Sequence, residues 1–282
     1  MTVETMTFGY GLIEGPRVDA DGGLYFSDVH NGGVRRLDPD GSIQIVVPKR
    51  RGVGGISLHA DGGIVISGKN VCHVRDGETR ILYERDDVGG FNDLFADSQG
   101  RVYVGSLRDD PFGDMKERKT GDAYRIDAPG EAVTLYTGVG LSNGIGFSPD
   151  GRRLYHVDSA KNAILVHAVG TDGEVDGSSG ETFVRLDKGT PDGLTVDAEG
   201  GVWVAVVGQG KVARFSPMGE PDREVSVPAS FVTSLCFGGP DGDELFVVTA
   251  DNTDDAGRAG TVFKVSADEV GATGLAPPLV RV

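Results

Sequence analysis

Glu14, Asn92, Asn143 and Asp192 stand at one recurring position in this 282-residue chain. Each lies eight residues before the glycine of an Asp-Gly-type turn, at Gly22, Gly100, Gly151 and Gly200. The same offset from Gly62 and Gly242 gives Gly54 and Ser234. If the turns mark structural repeats closed around an axis, these six positions form a ring. Two carboxylates and two carboxamides then converge where small or apolar residues would be expected. Converging oxygen ligands suit a hard divalent cation. Two neighbouring buried carboxylates also need a countercharge or a proton, because desolvating each costs several kcal/mol.

The elements that must position this ring are short strands. Runs such as Leu24-Tyr25-Phe26, Val102-Tyr103-Val104 and Val202-Trp203-Val204 follow the turns, and matching apolar runs precede them. β-Branched and aromatic runs flanking a tight glycine turn read as hairpins. A further pair of strands completes most units, as in Gly33–Leu37 followed by Ile43–Val46. The turn glycines are about 38–51 residues apart, and four strands at that period is the signature of propeller blades. Six units fill the chain, so the expectation is an all-β, six-bladed β-propeller, one domain over residues 1–282, with a metal site at one mouth of its central channel. Ring closure should use a terminal strand, either Thr5–Tyr10 or Leu275–Val282. The longer repeats carry insertions at 108–121 and 170–180. The first, from Leu107 to Thr120 with Arg108, Asp109, Asp110, Phe112, Asp114 and Lys116, is expected to form a lid over the mouth.

Composition narrows the partners. A net charge of −16 argues against nucleic acid, which needs a basic face, and disfavours anionic membranes. The densest basic run, Lys49-Arg50-Arg51, reads as a solvated loop. No apolar run reaches membrane-spanning length, and Met1–Tyr10 lacks the features of a secretory signal. Cys72 and Cys236 fall in strands of distant units and read as free buried thiols, which suits a reducing compartment. A cytoplasmic location is expected, and the sequence leaves the oligomeric state open.

Each ring residue also has an ordinary explanation when taken singly. Asn143-Gly144 and Asp192-Gly193 could be turn dipeptides, and Glu14 an exposed loop acid. Their shared offset favours the ring. Asp28 and Asp158 could support ligands from behind or simply cap turns. His156 reads as a packed strand residue and Trp203 as core. His30 could reach the channel mouth, and Asp93 should point away from Asn92 if the strand is regular there. Gly138–Gly144 lacks the helix and the Lys-Ser/Thr ending of a phosphate loop. Ser142 has no nucleophile-elbow context.

The segments Glu14-Gly15-Pro16, Phe91-Asn92-Asp93, Ser142-Asn143-Gly144 and Pro191-Asp192-Gly193, in this order, resemble the senescence-marker-protein, gluconolactonase and luciferin-regenerating-enzyme family of six-bladed propellers. The late segment Val232–Gly239 matches as well. The resemblance implies one divalent cation (Ca, Zn, Mn, Mg or Fe) held by Glu14, Asn143 and Asp192, and hydrolysis of a small-molecule lactone. A cation can polarise the ester carbonyl and acidify water. Asp192 would be general base as well as ligand, with Asn92, Asp93, Gly90 and His30 on the substrate side. Sugar-lactone hydrolases of that family commonly carry an Arg two residues before the ring Asn. This chain has Gly90 there, and Leu94 replaces a motif Gly, which suggests a wider and less cationic pocket edge. A phosphotriesterase-like hydrolase or isomerase on the same scaffold, or a non-catalytic metal-binding propeller, are the competing readings.

Overall fold

A computed structural model describes residues 3–113 and 119–282. Its strands form six four-stranded antiparallel sheets. Five are built from consecutive strands, beginning with innermost strands Ile13–Val18, Ile56–Leu58, Gly90–Ala96, Ser142–Phe147 and Thr190–Val196. The sixth takes three strands from Val232 to Val265 and its outermost strand from the N-terminus, Val3–Tyr10, which pairs with Gly260–Val265. Of the two closures the sequence allowed, the ring therefore uses the N-terminal one. The C-terminal segment makes only isolated bridges, His59 to Val280 and Asp197 to Gly274.

The six turn glycines all have positive φ, from +68° at Gly151 to +91° at Gly62, the left-handed region that a Cβ disfavours. Side-chain oxygens help to close several of these turns. Asp19, Asp97 and Asp197 each accept two backbone N–H groups from their own turn. In these blades an aspartate therefore recurs three residues before the turn glycine.

Between the blades, apolar side chains from facing sheets interlock. Each of the six blade interfaces has its own cluster of buried residues. Trp203 is fully buried between the fifth and sixth blades, edge-on to Phe237, and its indole N–H donates to Asp197 at 2.9 Å. Cys72 and Cys236 are buried and free. No helix among the described residues is long and apolar enough to cross a membrane.

Candidate metal and active site

All but one of the innermost strands carry a one-residue register shift at or beside the ring position. The shifts fall between Glu14 and Arg17, Phe91 and Leu94, Ser142 and Ile145, Pro191 and Leu194, and Val232 and Ser234. A bulge re-aims a side chain that a regular pleat would send elsewhere. The dipeptides Asn143-Gly144 and Asp192-Gly193 thus lie inside strands, not in turns. Their glycines allow the innermost strands to approach closely. A Cβ on Gly55 would lie 2.9 Å from Asp93 Cα, and one on Gly193 would lie 2.7 Å from Ser234 Cα. A Cβ on Gly15, where φ is +59°, would lie 3.0 Å from Ile56 N. Thr233 closes the last interface by donating to the Ile13 carbonyl at 2.5 Å.

Neighbouring ring positions touch. Asn92 donates from Nδ2 to the Ser142 carbonyl at 2.8 Å and also to Asn143 Oδ1. Gly54 makes room for it, since a Cβ there would overlap Asn92 Oδ1. Asn143 donates from Nδ2 to Ser159 Oγ at 2.7 Å, and Ser159 in turn donates to the Pro191 carbonyl at 2.6 Å. This relay ties the fourth blade to the fifth and leaves Asn143 Oδ1 turned toward Asn92.

Asn143 and Asp192 are buried, and Glu14 is partly so. Burial raises the Glu14 pKa well above the usual carboxylate range, and the charges of Asp192 and Asp93 push it further. Asp192 is raised by burial and then by Asp93. Asp93, also buried, is pushed up to about 6 by burial, against the lowering effect of Arg17 and of the Leu94 and Ile145 backbone N–H groups. The charge of Asp93 thus acts on both ring carboxyls, and that of Asp192 acts on Glu14. Asp93 accepts from the Leu94 N–H at 2.8 Å and interacts with the Ile145 N–H and the Arg17 charge.

The remaining candidates divide. Asp28 accepts from Gly11 N, Asn31 N and Asn31 Nδ2, and Asp158 accepts from Gly140 N and Leu141 N and pairs with Lys161. Both shape loops at the mouth. His30 is exposed there, its ring 5.1 Å from that of Phe112. Phe112 belongs to the 107–120 insertion of the third blade and His30 to the first, so Phe112 reaches a residue of the first blade at the mouth. Asp114 and Lys116 of the same insertion lie outside the described residues. Gly90 differs from expectation. A Cβ there would stand 2.8 Å from the Gly68 carbonyl oxygen, so the space beside it is filled by backbone and is not an open pocket edge.

Two features escaped the sequence. Ser159 orients Asn143, and only its place after Asp158 at a strand end hinted at it. Ser142 Oγ lies 2.7 Å from His156 Nε2, whose Nδ1 lies 2.7 Å from the Tyr136 hydroxyl. This is not a nucleophile: Ser142 is fully buried, and a Cβ on Gly105 would overlap its Oγ, so no substrate fits there. Burial lowers the His156 pKa to about 3, keeping the ring neutral.

No group of three or more His, Cys, Asp or Glu side chains is arranged to hold a metal among the described residues. A cation at the mouth would have to use carboxamide oxygen beside the two ring carboxylates. The donor set fits one, since all the oxygens are hard and neither Glu14 nor Asp192 makes an ion pair among the described residues. A cavity of about 500 Å³ opens elsewhere, at the far end of the channel among the Asp-Gly turns. It includes none of the ring residues.

Six blades around an oxygen-lined mouth define a propeller scaffold with its polar centre on the axis. Residues 12–251 match the SMP-30/Gluconolactonase/LRE-like region, and the chain belongs to that family. It is 33% identical over 255 residues to the pentonolactonase of Haloferax volcanii, covering 88% of this chain and 84% of that one. It is 30% identical over 271 residues to a 6-deoxy-6-sulfogluconolactonase of Pseudomonas putida, covering 91% and 90%. The fold is similar to that of a calcium-binding regucalcin from Agrobacterium tumefaciens, with a TM-score of 0.86 at 23% identity, covering 100% of this chain and 98% of that one.

Proposed function

We propose that this protein is a divalent-cation-dependent lactonase that opens a small lactone to its hydroxy acid at the mouth of the propeller. The observation that carries the reading is the pair of ring carboxylates, Glu14 and Asp192, beside Asn143, both pushed above the usual carboxylate range by burial and by neighbouring acids. Family membership and the two relatives named as sugar lactonases support the reaction class. Glu14, Asn143 and Asp192 would hold the cation, which when bound supplies charge to polarise an ester carbonyl and acidify water. The calcium-binding neighbour is consistent with a divalent ion.

The chain's own groups supply the rest. Asp192 accepts the proton of the attacking water on a carboxylate oxygen and returns it to the leaving alkoxide. Its burial next to Asp93 makes the carboxylate more basic, which favours this role. Asn92, with its amide directed across the ring, positions the substrate, and Asp93 holds the polarity of the pocket floor. His30 and the insertion carrying Phe112 cover the mouth and exclude water. The test is a panel of γ- and δ-lactones followed by acid release, with cation-stripped and cation-restored protein. Cation-dependent turnover of at least one lactone is expected. Equal turnover in stripped and restored protein, or no turnover of any member, refutes the reading.

A further inference from the structure

The rear cavity is built differently from the mouth. Its walls are mainly apolar and aromatic, with Phe95, Tyr103, Phe147 and Phe237 from four different strands. At about 500 Å³ it lies within the range of small-molecule pockets, roughly 300–1,000 Å³. Arg17 lines it, three residues along the innermost strand from Glu14, and is 95% shielded from solvent at 5% exposure. Its guanidinium sits 5.1 Å over the Phe95 ring. It donates to three carbonyls, those of Ile56, Pro16 and Leu94, and makes no ion pair among the described residues. Three of its five N–H groups are thus engaged by neutral oxygens, and two remain. Asp93, deeper in the channel, feels the Arg17 charge, but no hydrogen bond or ion pair among the described residues joins the two, and the carboxylates on the wall do not serve it. Asp97 is paired with Arg101 at 2.6 Å, and Asp150 is spent on Ser148 and the Arg152 N–H.

The cover of this cavity is also unusual. The C-terminal segment is pinned on one side by Ala198 N to Thr273 O and Gly274 N to Gly242 O. On the other side Val280 N donates to Leu58 O and Arg281 N to Gly100 O. Between these anchors Leu275, Ala276, Pro277 and Pro278 cross the cavity. The two prolines have no N–H to satisfy, so the strand can span an opening without a pairing partner.

We propose that the rear cavity is a second binding site, for an amphipathic monocarboxylate whose acid group meets Arg17 and whose apolar body fills the space beneath residues 275–278. A buried guanidinium with free N–H groups recognises a carboxylate, and the apolar and aromatic walls accommodate a hydrocarbon body. A strongly hydrated phosphate would lose too much solvation against these walls.

Octanoate is the probe, titrated into the full chain by calorimetry, with quenching of Trp203 as a second signal. Trp203 is the chain's single tryptophan and touches Phe237 of the cavity wall. Saturable one-to-one binding is expected, with octan-1-ol at least tenfold weaker. Thr195→Phe, which fills the cavity from the fifth blade, should remove binding. Arg17→Lys keeps the charge but not the fork and should weaken it several-fold; it guards against misfolding of a neutral variant. Asp192→Asn, at the opposite mouth, should bind octanoate as the wild type does. The proposal is overturned if octanoate shows no saturable binding at millimolar concentration, or if octan-1-ol binds equally well. It is also overturned if Thr195→Phe binds normally or if Asp192→Asn abolishes binding.

Discussion

Replacing Gly54 by Ala adds one methyl group at a ring position and tests the geometry of the mouth. Its Cβ would overlap Asn92 Oδ1 and lie 3.0 Å from Asn92 Cγ and 3.2 Å from its Cα. The backbone at Gly54 is not in the left-handed region, so the substitution adds steric demand without backbone strain. The Asn92 carboxamide must retreat by more than about 1 Å to restore a normal contact of about 3.5–4.0 Å. That movement breaks its bonds to the Ser142 carbonyl and to Asn143. Two hydrogen bonds lost at about 1 kcal/mol each, with solvent partly replacing them at this partly buried residue, predict a stability loss of about 1–2 kcal/mol. Activity should suffer more, since a displacement of about 1 Å in a positioning group can cost about 100-fold. The assay is kcat/KM on the best lactone of the panel, with a thermal melt alongside. A double-mutant cycle isolates the cause: in an Asn92→Ala background the overlap with the carboxamide is gone and only the approach to the Cα remains, so Gly54→Ala should add less than twofold. Unchanged kcat/KM in Gly54→Ala, or an equal loss in both backgrounds, refutes the reasoning.

Glu14→Gln and Asp192→Asn should abolish cation binding and turnover while the propeller stays folded; full metal occupancy by elemental analysis would contradict the ring assignment. In cation-free protein near pH 7.5, Asp192→Asn should melt higher than wild type by about 1–2 kcal/mol, because it removes a buried charge beside Asp93. Adding the cation should raise the wild-type melting temperature and leave the variant unmoved, so an equal response would count against the site. His156, with its pKa lowered to about 3 in the fold and about 6.5 unfolded, stabilises the protein fully above about pH 6.5 and loses that contribution as pH falls toward 3. Asp93 works in the opposite sense below about pH 6, so the measured quantity is the difference between wild type and His156→Gln; parallel melting curves from pH 7 to pH 4 would refute it. Gly90→Arg should reduce soluble yield or melting temperature, because its Cβ would press on the Gly68 carbonyl oxygen; a stable variant with a changed lactone preference would show that backbone to yield easily.

The sequence alone determined the propeller and the identity of its ring, because both are written in a period. A turn that needs positive φ selects glycine, as at Gly22 and Gly100, and the aspartate three residues before it that closes the turn is selected with it. Counting back from those glycines reached Glu14, Asn92, Asn143 and Asp192, since strand length fixes the distance from turn to mouth. Tertiary structure decided everything that depends on a neighbour from another blade. The register shift between Phe91 and Leu94, which sets the directions of Asn92 and Asp93, is a bulge that composition does not reveal. The crowding at Gly90 comes from Gly68 of the preceding blade, and the orientation of Asn143 comes from Ser159. The contact of His30 with Phe112 joins the first blade to an insertion in the third. The choice between two terminal segments for closing the ring, and the crossing of the rear cavity by the other, rest on long-range pairing. Such pairing depends on the final packing of surfaces distant in sequence, and local propensity carries no record of it.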